Sequence, residues 1–265
     1  MAINTVDDIA SSMAIGQKAR LIKNFSITKT AGAFHSGWLA SGLPVAGATP
    51  PLFTAGAGYT CDRTTVGAIG QINAAVQNWL MQTVMGSTQV GTLFIADRLW
   101  SCSGMGFAAA TYTVTTPGSL PARITDFGAK AELWVEQFVA ASTATGTLSA
   151  SYLDSAGVAQ TGVIPAVVSA PNLGQMQRVT LANNLGIRQL TSVTNSATWT
   201  SGTWGMTILE TIAQIELPVI GISKSMDWAT LGLPQIKQNS CLFLYFLANG
   251  SSSPTIIGSL NIGDK

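Results

Sequence analysis

The sequence predicts a mainly β protein, an antiparallel β-sandwich or jelly roll that also carries an N-terminal helix, a long Gly- and Pro-rich arm and one amphipathic helix. Beyond residue 90, apolar and polar residues alternate with a period of two, which is typical of strands with one buried face. Clusters of Gly, Pro, Asn and Ser separate these runs and mark turns. The length of 265 residues suits one large all-β domain. We therefore expect the helices and the arm in residues 1–90 and the sandwich in residues 91–265.

Two helices are expected in the first segment. Thr5 is followed three residues later by Asp8, a capping pair that predicts a short helix over residues 6–15, which Gly16 ends. Over residues 66–84, apolar side chains recur mostly at steps of three and four, with Asn and Gln between them. This spacing predicts an amphipathic helix of about five turns.

Residues 31–60 lie between these two predicted helices and show no hydrophobic period. They contain six Gly and three Pro, which favour irregular backbone and interrupt strand pairing. Aromatic and aliphatic side chains on such an arm need a surface to pack on, either the protein's own core or a neighbouring subunit. The candidate contacts to a neighbouring subunit are Phe34, Trp38, Leu39, Leu52 and Phe53.

Nine strands are predicted beyond residue 90. They cover residues 92–100, 110–116, 130–139, 147–153, 158–168, 175–182, 189–194, 205–212 and 241–248. The turn residues 154–157 connect the fourth and fifth of these strands as a hairpin. Short strands separated by turn residues in this way are typical of sandwiches and jelly rolls.

The chain carries little charge. Charged residues make up 9% of the sequence and the net charge is +1, so no strong field attracts nucleic acid or an anionic membrane. The most basic stretch, with Lys18, Arg20, Lys23 and Lys29, is interpreted as a solvated strand face. Low net charge also leaves isolated copies free to associate, which favours an oligomer or a component of an assembly.

No catalytic, cofactor-binding or metal-binding residues are expected. His35 is the only histidine, which excludes sites built from several histidines. Glu132 and Glu136 are the best candidate pair of catalytic carboxylates, but four residues along a strand separate them by about 13 Å. A glycosidase needs its two carboxyl groups within roughly 5–9.5 Å of each other.

The cysteines, the N-terminal residues and the charge-free stretches bear on the compartment of the protein and on membrane insertion. Cys61, Cys102 and Cys241 lack the close spacing of a metal or redox motif and are expected to be buried free thiols. The N-terminal residues show no export signal, so assembly in a cytoplasm is expected. The charge-free residues 64–96 and 239–263 are interrupted by polar residues, so no membrane span is predicted.

Trp199 and Trp204 suggest a second kind of function. Both lie in one Ser- and Thr-rich stretch, and indole rings stack on the faces of sugar rings. They are the candidate residues for binding a glycan. Aromatic residues at strand ends that close a sandwich would also explain them, and this is the favoured interpretation.

Several segments together resemble virion proteins of tailed bacteriophages that are encoded near the major capsid gene. These segments are TVDDIASSMAIGQKAR, GWLASGLPVAGATP with CDRTTVGAIG, LFIADRLWSCSGM, LWVEQFVAASTATGTLSASYLDSAGVAQTG, NNLGIRQLTSVTNSATWTSGTWGMTILE and LANGSSSPTIIGSLNIG. The resemblance covers most of the chain and rests on the order of these segments, not on a catalytic motif.

The resemblance implies a β-rich, non-enzymatic structural protein of the phage particle. A capsid decoration or cement protein that stabilises the head by bridging capsomers fits best. Its expected partners are the major capsid protein and further copies of itself, with a trimer favoured, and its expected location is the virion after assembly in the host cytoplasm. The alternative is a tail or fibre component that binds a host receptor or glycan, with Trp199 and Trp204 as the contacts.

Overall fold

A computed structural model describes residues 3, 5–25, 29–50, 58–70, 78–106, 110–114, 120–141, 146–164, 171–196 and 201–264. Within these residues the chain forms two helices and seventeen strands. The helices are α1 (Val6–Ile15) and α2 (Trp228–Leu231). The strands, in chain order, are β1 (Gln17–Asn24), β2 (Phe34–Ser36), β3 (Ser41–Leu43), β4 (Tyr59–Thr60), β5 (Asn78–Ser87), β6 (Gly91–Ser101), β7 (Ala110–Thr113), β8 (Glu132–Val139), β9 (Leu148–Leu153), β10 (Ala159–Ile164), β11 (Gln175–Arg178), β12 (Gln189–Asn195), β13 (Thr203–Leu217), β14 (Lys224–Asp227), β15 (Gln235–Ile236), β16 (Leu242–Ala248) and β17 (Thr255–Asp264).

Six strands close into an antiparallel barrel at the centre of the molecule. Their order is β13, β8, β11, β2, β16 and β6, and β6 pairs with β13 to complete the ring. The long strand β13 makes this closure possible, because residues 203–209 pair with β8 while residues 207–217 pair with β6. The short strand β4 pairs with β6 at Tyr59 and Thr60, beyond the end of β16.

Two further antiparallel sheets accompany the barrel. One has four strands in the order β10, β9, β12 and β7. The other has six strands, in which the order β14, β5, β17, β1 and β3 forms the main path and β15 pairs with β5. Helix α1 packs against β17 of the six-stranded sheet.

The period-two pattern of the strands divides the buried side chains into three clusters. On β16, Phe243 and Tyr245 join an aromatic cluster with Trp38 and Trp134, whereas Leu244 and its even-numbered neighbours join another cluster. That second cluster also contains residues of β1, β5 and β17, so it lies between the barrel strands and the six-stranded sheet. The third cluster joins residues of β6, β8 and β13 to residues of β9 and β12.

The predicted fold class is confirmed, since the protein is mainly β with antiparallel sheets and few helices. The predicted helix over residues 6–15 is α1, and Thr5 and Asp8 cap it reciprocally as a capping box. All nine predicted strands are present, with shifts at their ends. In the predicted hairpin turn, the Asp154 carboxylate accepts hydrogen bonds from the N–H groups of Ala156 and Val158, and Gly157 has a φ of 81°.

The predicted amphipathic helix over residues 66–84 is wrong where the structure describes it. Residues 78–87 form strand β5, and Ile69 makes an isolated β-bridge to Leu242. Residues 71–77 lie outside the described part of the chain. Because β5 has hydrogen-bonded neighbours on both sides, β17 and β14, pairing in the sheet outweighs the helical spacing of its apolar residues.

The described parts of the expected arm, residues 31–50 and 58–60, pack on the protein's own core, one of the two surfaces that the sequence left open. These residues supply β2, β3 and β4, and β2 lies between β11 and β16 in the barrel. Strands from the first 90 residues, β1, β3 and β5, share a sheet with β14, β15 and β17, so pairing joins the two predicted segments. No helix in the described residues is long and apolar enough to cross a membrane.

Candidate assembly surfaces

Trp38, a predicted contact to a neighbouring subunit, is buried inside the protein. Its indole N–H donates to the Ala48 carbonyl at 2.9 Å. The ring lies edge-on to Phe243, with 6.2 Å between centroids, and the Arg98 guanidinium lies 4.7 Å from its centroid. The packing of this side chain is therefore complete without a partner.

Phe34 and Leu39, also predicted contacts, are half-buried and pack against the same aromatic cluster. The Phe34 ring meets Trp134 edge-on at 5.0 Å and Tyr245 at 6.0 Å. The surface that these residues pack on is thus the protein's own core. Leu52 and Phe53 lie outside the described residues, so their role as contacts stays a prediction.

Trp204, a candidate glycan-binding residue, is fully buried. Its indole N–H donates to the Gly106 carbonyl at 2.9 Å, and Tyr112 packs edge-on against the ring at 6.0 Å. A sugar ring cannot stack on this indole in the folded protein. Trp199 lies outside the described residues and stays a prediction.

Glu136 and Glu132, the candidate pair of carboxylates, each make an ion pair with an arginine. The Arg98 Nη2 donates to Glu136 Oε2 at 2.6 Å, to Ser101 Oγ at 2.7 Å and to Thr207 Oγ1 at 3.1 Å. Arg98 and Glu136 are completely buried. Desolvation opposes the charge on Arg98, but the Glu136 carboxylate raises the guanidinium pKa above its usual value.

Glu132 lies nearer the surface on the same strand. Its carboxylate pairs with Arg178 at 3.1 Å and accepts the Trp134 indole N–H at 2.9 Å. Both glutamates lie on strand β8, as the sequence predicts, and four residues of strand separate them. Glu132 and Arg178 also line a surface cleft of about 420 Å³ between β8 and β11, together with Lys130 and Asn183.

A second buried ion pair fixes the end of β16. The Arg123 guanidinium donates two hydrogen bonds to the Asp97 carboxylate, at 2.8 and 2.9 Å. It also donates to the carbonyls of Cys61 and Arg98. Asp97 Oδ1 in turn accepts the backbone N–H of Cys241 at 2.8 Å. This pair therefore ties β6 to the residue before β16 and to the backbone at Cys61.

The three cysteines are free and buried, as expected. Burial raises the pKa of the Cys102 thiol to about 12. The neighbouring Cys61 thiol raises the pKa of Cys241, and burial raises it further. The raised pKa values keep the Cys102 and Cys241 thiols protonated and unreactive at neutral pH.

The outer face of the four-stranded sheet carries two rows of side chains in register. The first row is Thr161, Ser151, Ser192 and Thr113. The second row is Val163, Ser149, Thr194 and Thr111. Seven of these eight residues carry a hydroxyl group and none carries a charge. We call these eight residues the hydroxyl face.

The outer face of the six-stranded sheet is different. Ile22 of β1 stands directly opposite Leu43 of β3 on one side and Ile257 of β17 on the other, and all three are exposed. Lys18 and Arg20 of β1 lie exposed on the same face, since they alternate with the buried Ala19 and Leu21. This face therefore combines an apolar row with positive charge.

The basic stretch shows what the sequence interpretation missed. Lys18 and Arg20 are solvated, but Lys23 and Lys29 are buried. Lys23 Nζ donates to the carbonyls of Ala40 and Val45 at 3.1 and 3.3 Å, and burial lowers the pKa of both lysines to about 8. Their position in the alternating pattern of β1 signals burial for Lys23, because it follows Ala19 and Leu21 at steps of two.

No protein-family model matches this chain, and no curated protein matches it. Solved structures with some likeness come from infectious bursal disease virus. Its derived T=1 particle is 9% identical with a TM-score of 0.20, covering 94% of this chain and 77% of that chain. The VP2 subviral particle is 7% identical with a TM-score of 0.21, covering 94% and 80%. At this TM-score the likeness carries no argument about the fold or function of this protein.

Proposed function

We propose that this protein is a virion structural protein, a capsid decoration protein of a tailed bacteriophage that bridges neighbouring capsomers and catalyses no reaction. The similarity of its sequence segments to virion proteins of tailed phages supports a place in a virion and a bacterial host. The hydroxyl face is the structural observation that carries the proposal. Seven of its eight residues are Ser or Thr, and it exposes no charge over two complete rows of a four-stranded sheet.

An uncharged hydroxyl face suits permanent burial against another protein. Its hydroxyl groups exchange hydrogen bonds with water for hydrogen bonds with the partner, whereas a buried unpaired charge would cost several kcal/mol. In the free protein only one pair within the rows, Thr111 with Thr194, is hydrogen bonded between side chains, at 3.1 Å. The proposed partner is the major capsid protein, and the proposed location is the virion.

Several linked copies would strengthen such a contact. A homo-oligomer, with a trimer favoured, presents the same face several times to a symmetric shell and gains avidity without new kinds of contact. The net charge of +1 does not oppose this association. The glycan-binding alternative has lost Trp204 as a contact and depends on Trp199 alone.

Binding to capsid shells that lack this protein tests the proposal. The double variant Ser151→Lys/Thr161→Lys places two charges in one row of the hydroxyl face, where both positions are exposed. We expect at least a tenfold weaker occupancy in co-sedimentation with the shells, because two charges would have to be desolvated. The matched control Ser251→Lys/Ser253→Lys adds two charges to an exposed connection elsewhere, between β16 and β17. Wild-type occupancy of the double variant would contradict the role of this face.

A further inference from the structure

Ile22, Leu43 and Ile257 form an exposed apolar row, which we call the sheet patch. Their exposed fractions are 42%, 49% and 53%, high for large aliphatic residues that are in register across three strands. The row ends beside Gly86, which pairs with Ile257. Contiguous exposed apolar surface of this kind marks a site of association in a soluble protein.

The exposed side of helix α1 forms the second surface, which we call the helix patch. Val6 and Ile15 are 68% and 70% exposed and lie at its two ends, about 14 Å apart along the axis, and nine residues of helix place them on opposite edges of this side. Between them the exposed residues are Asp7, Ala10, Ser11 and Ala14. The opposite side of the helix is occupied, since Ile9 and Ser12 are buried and Ser12 lies over Gly263 of β17.

The two patches carry opposite charges. Lys18 and Arg20 lie beside the sheet patch on the exposed side of β1, and Asp7 lies in the helix patch. None of these three residues forms an ion pair within the part of the chain that is described. An interface between copies would bring Asp7 of one copy close to the basic residues of the other and would cover the sheet patch.

We propose that the helix patch of one copy docks on the sheet patch of a second copy. The row from Leu43 to Ile257 spans two strand spacings, about 10 Å, and so fits within the length of the helix patch, about 14 Å. The helix patch cannot cover the sheet patch of the same copy. The buried side of α1 packs on β17, so the helix patch faces outward. The two surfaces differ, so the contact is head-to-tail, and such contacts close into a ring when the rotation allows.

This inference concerns the isolated protein and goes beyond its proposed place in a virion. Sedimentation equilibrium measures it without any capsid. The wild-type protein is expected to associate at about 100 µM or below. The variant Ile22→Ser/Ile257→Ser should weaken association at least tenfold, because it removes two apolar anchors. Val139→Ser/Val158→Ser is the matched control, since both valines are 53% exposed but lie outside the two patches.

Charge reversal identifies the pairing of the two patches. Asp7→Arg and Arg20→Glu should each weaken association, and the double variant Asp7→Arg/Arg20→Glu should restore it toward the wild-type value. Thermal unfolding of each variant checks that α1 and the sheet remain folded. A monomeric wild type, unchanged association of the Ile22→Ser/Ile257→Ser variant, or a double variant no better than the single ones would each overturn the proposal. These measurements involve no capsid. A failure of this inference can therefore be distinguished from a failure of the proposed decoration role.

Discussion

Arg98 and Glu136 are charged residues that the fold buries completely, and each is the other's partner. Ser101 and Thr207 add hydroxyl groups to the same cluster, and the rings of Trp38 and Phe243 face the guanidinium. The sequence alone could not predict this pair. The two residues lie 38 positions apart on strands that become neighbours of β13 only when the barrel closes.

His35 is a second buried polar residue in the barrel wall, and it predicts a dependence of stability on pH. Its Nε2 lies 3.2 Å from the backbone nitrogen of Thr30 and 3.4 Å from the carbonyl oxygen of the same residue. Burial, together with the nearby charge of Lys29, lowers the pKa of His35 from 6.5 to about 4. The unfolded chain therefore binds a proton at a higher pH than the folded protein does.

Lowering the pH from 6.5 to 4 is expected to cost about 3 kcal/mol of the free energy of unfolding through His35 alone. The stability contribution is complete above pH 6.5 and is lost as the pH falls. His35→Gln removes the titrating group and should flatten this part of the profile. The measurement is urea unfolding of both proteins at several pH values. Parallel profiles for the wild type and the variant would rule out this role for His35.

At the scale of elements, the alternation of apolar and polar residues predicts most strands. It does not identify a strand whose apolar residues also fit the spacing of a helix. β8, β9 and β12 are predictable because turn residues flank them and apolar residues repeat at steps of two, and β16 is predictable because its continuous apolar run has the length of a buried strand. β5 was mistaken for a helix because its apolar residues also fit steps of three and four. β2 was unpredictable because it has only three residues, and its place between β11 and β16 depends on pairing with distant parts of the chain.

The barrel closes where β13 approaches the end of β6, and a glycine is required there. A Cβ atom on Gly205 would collide with the backbone carbonyl of Cys102, which cannot rotate away as a side chain could. Gly205→Ala is therefore expected to lower the free energy of unfolding by about 2–3 kcal/mol. Gly70→Ala is the control, because its added Cβ would meet no atom within 4 Å. Equal stabilities of the two variants in chemical denaturation would refute this account of barrel closure.

At the scale of the whole molecule, one closed barrel supports two sheets whose outer faces differ in chemistry. The hydroxyl face is uncharged, whereas the face with the sheet patch combines aliphatic and basic residues. Composition predicted an uncharged surface suited to assembly, since only 9% of the residues are charged. It could not predict which surfaces would carry the contacts, because the register of distant strands decides which side chains stand together.

The number of copies of this protein in each purified phage particle tests its proposed role most directly. Quantitative mass spectrometry against the major capsid protein measures that number. A decoration protein that bridges capsomers repeats with the shell, so we predict dozens to hundreds of copies in a fixed ratio to the capsid subunits. A handful of copies, or none, would contradict the proposal, and a handful would place the protein at a vertex or in the tail.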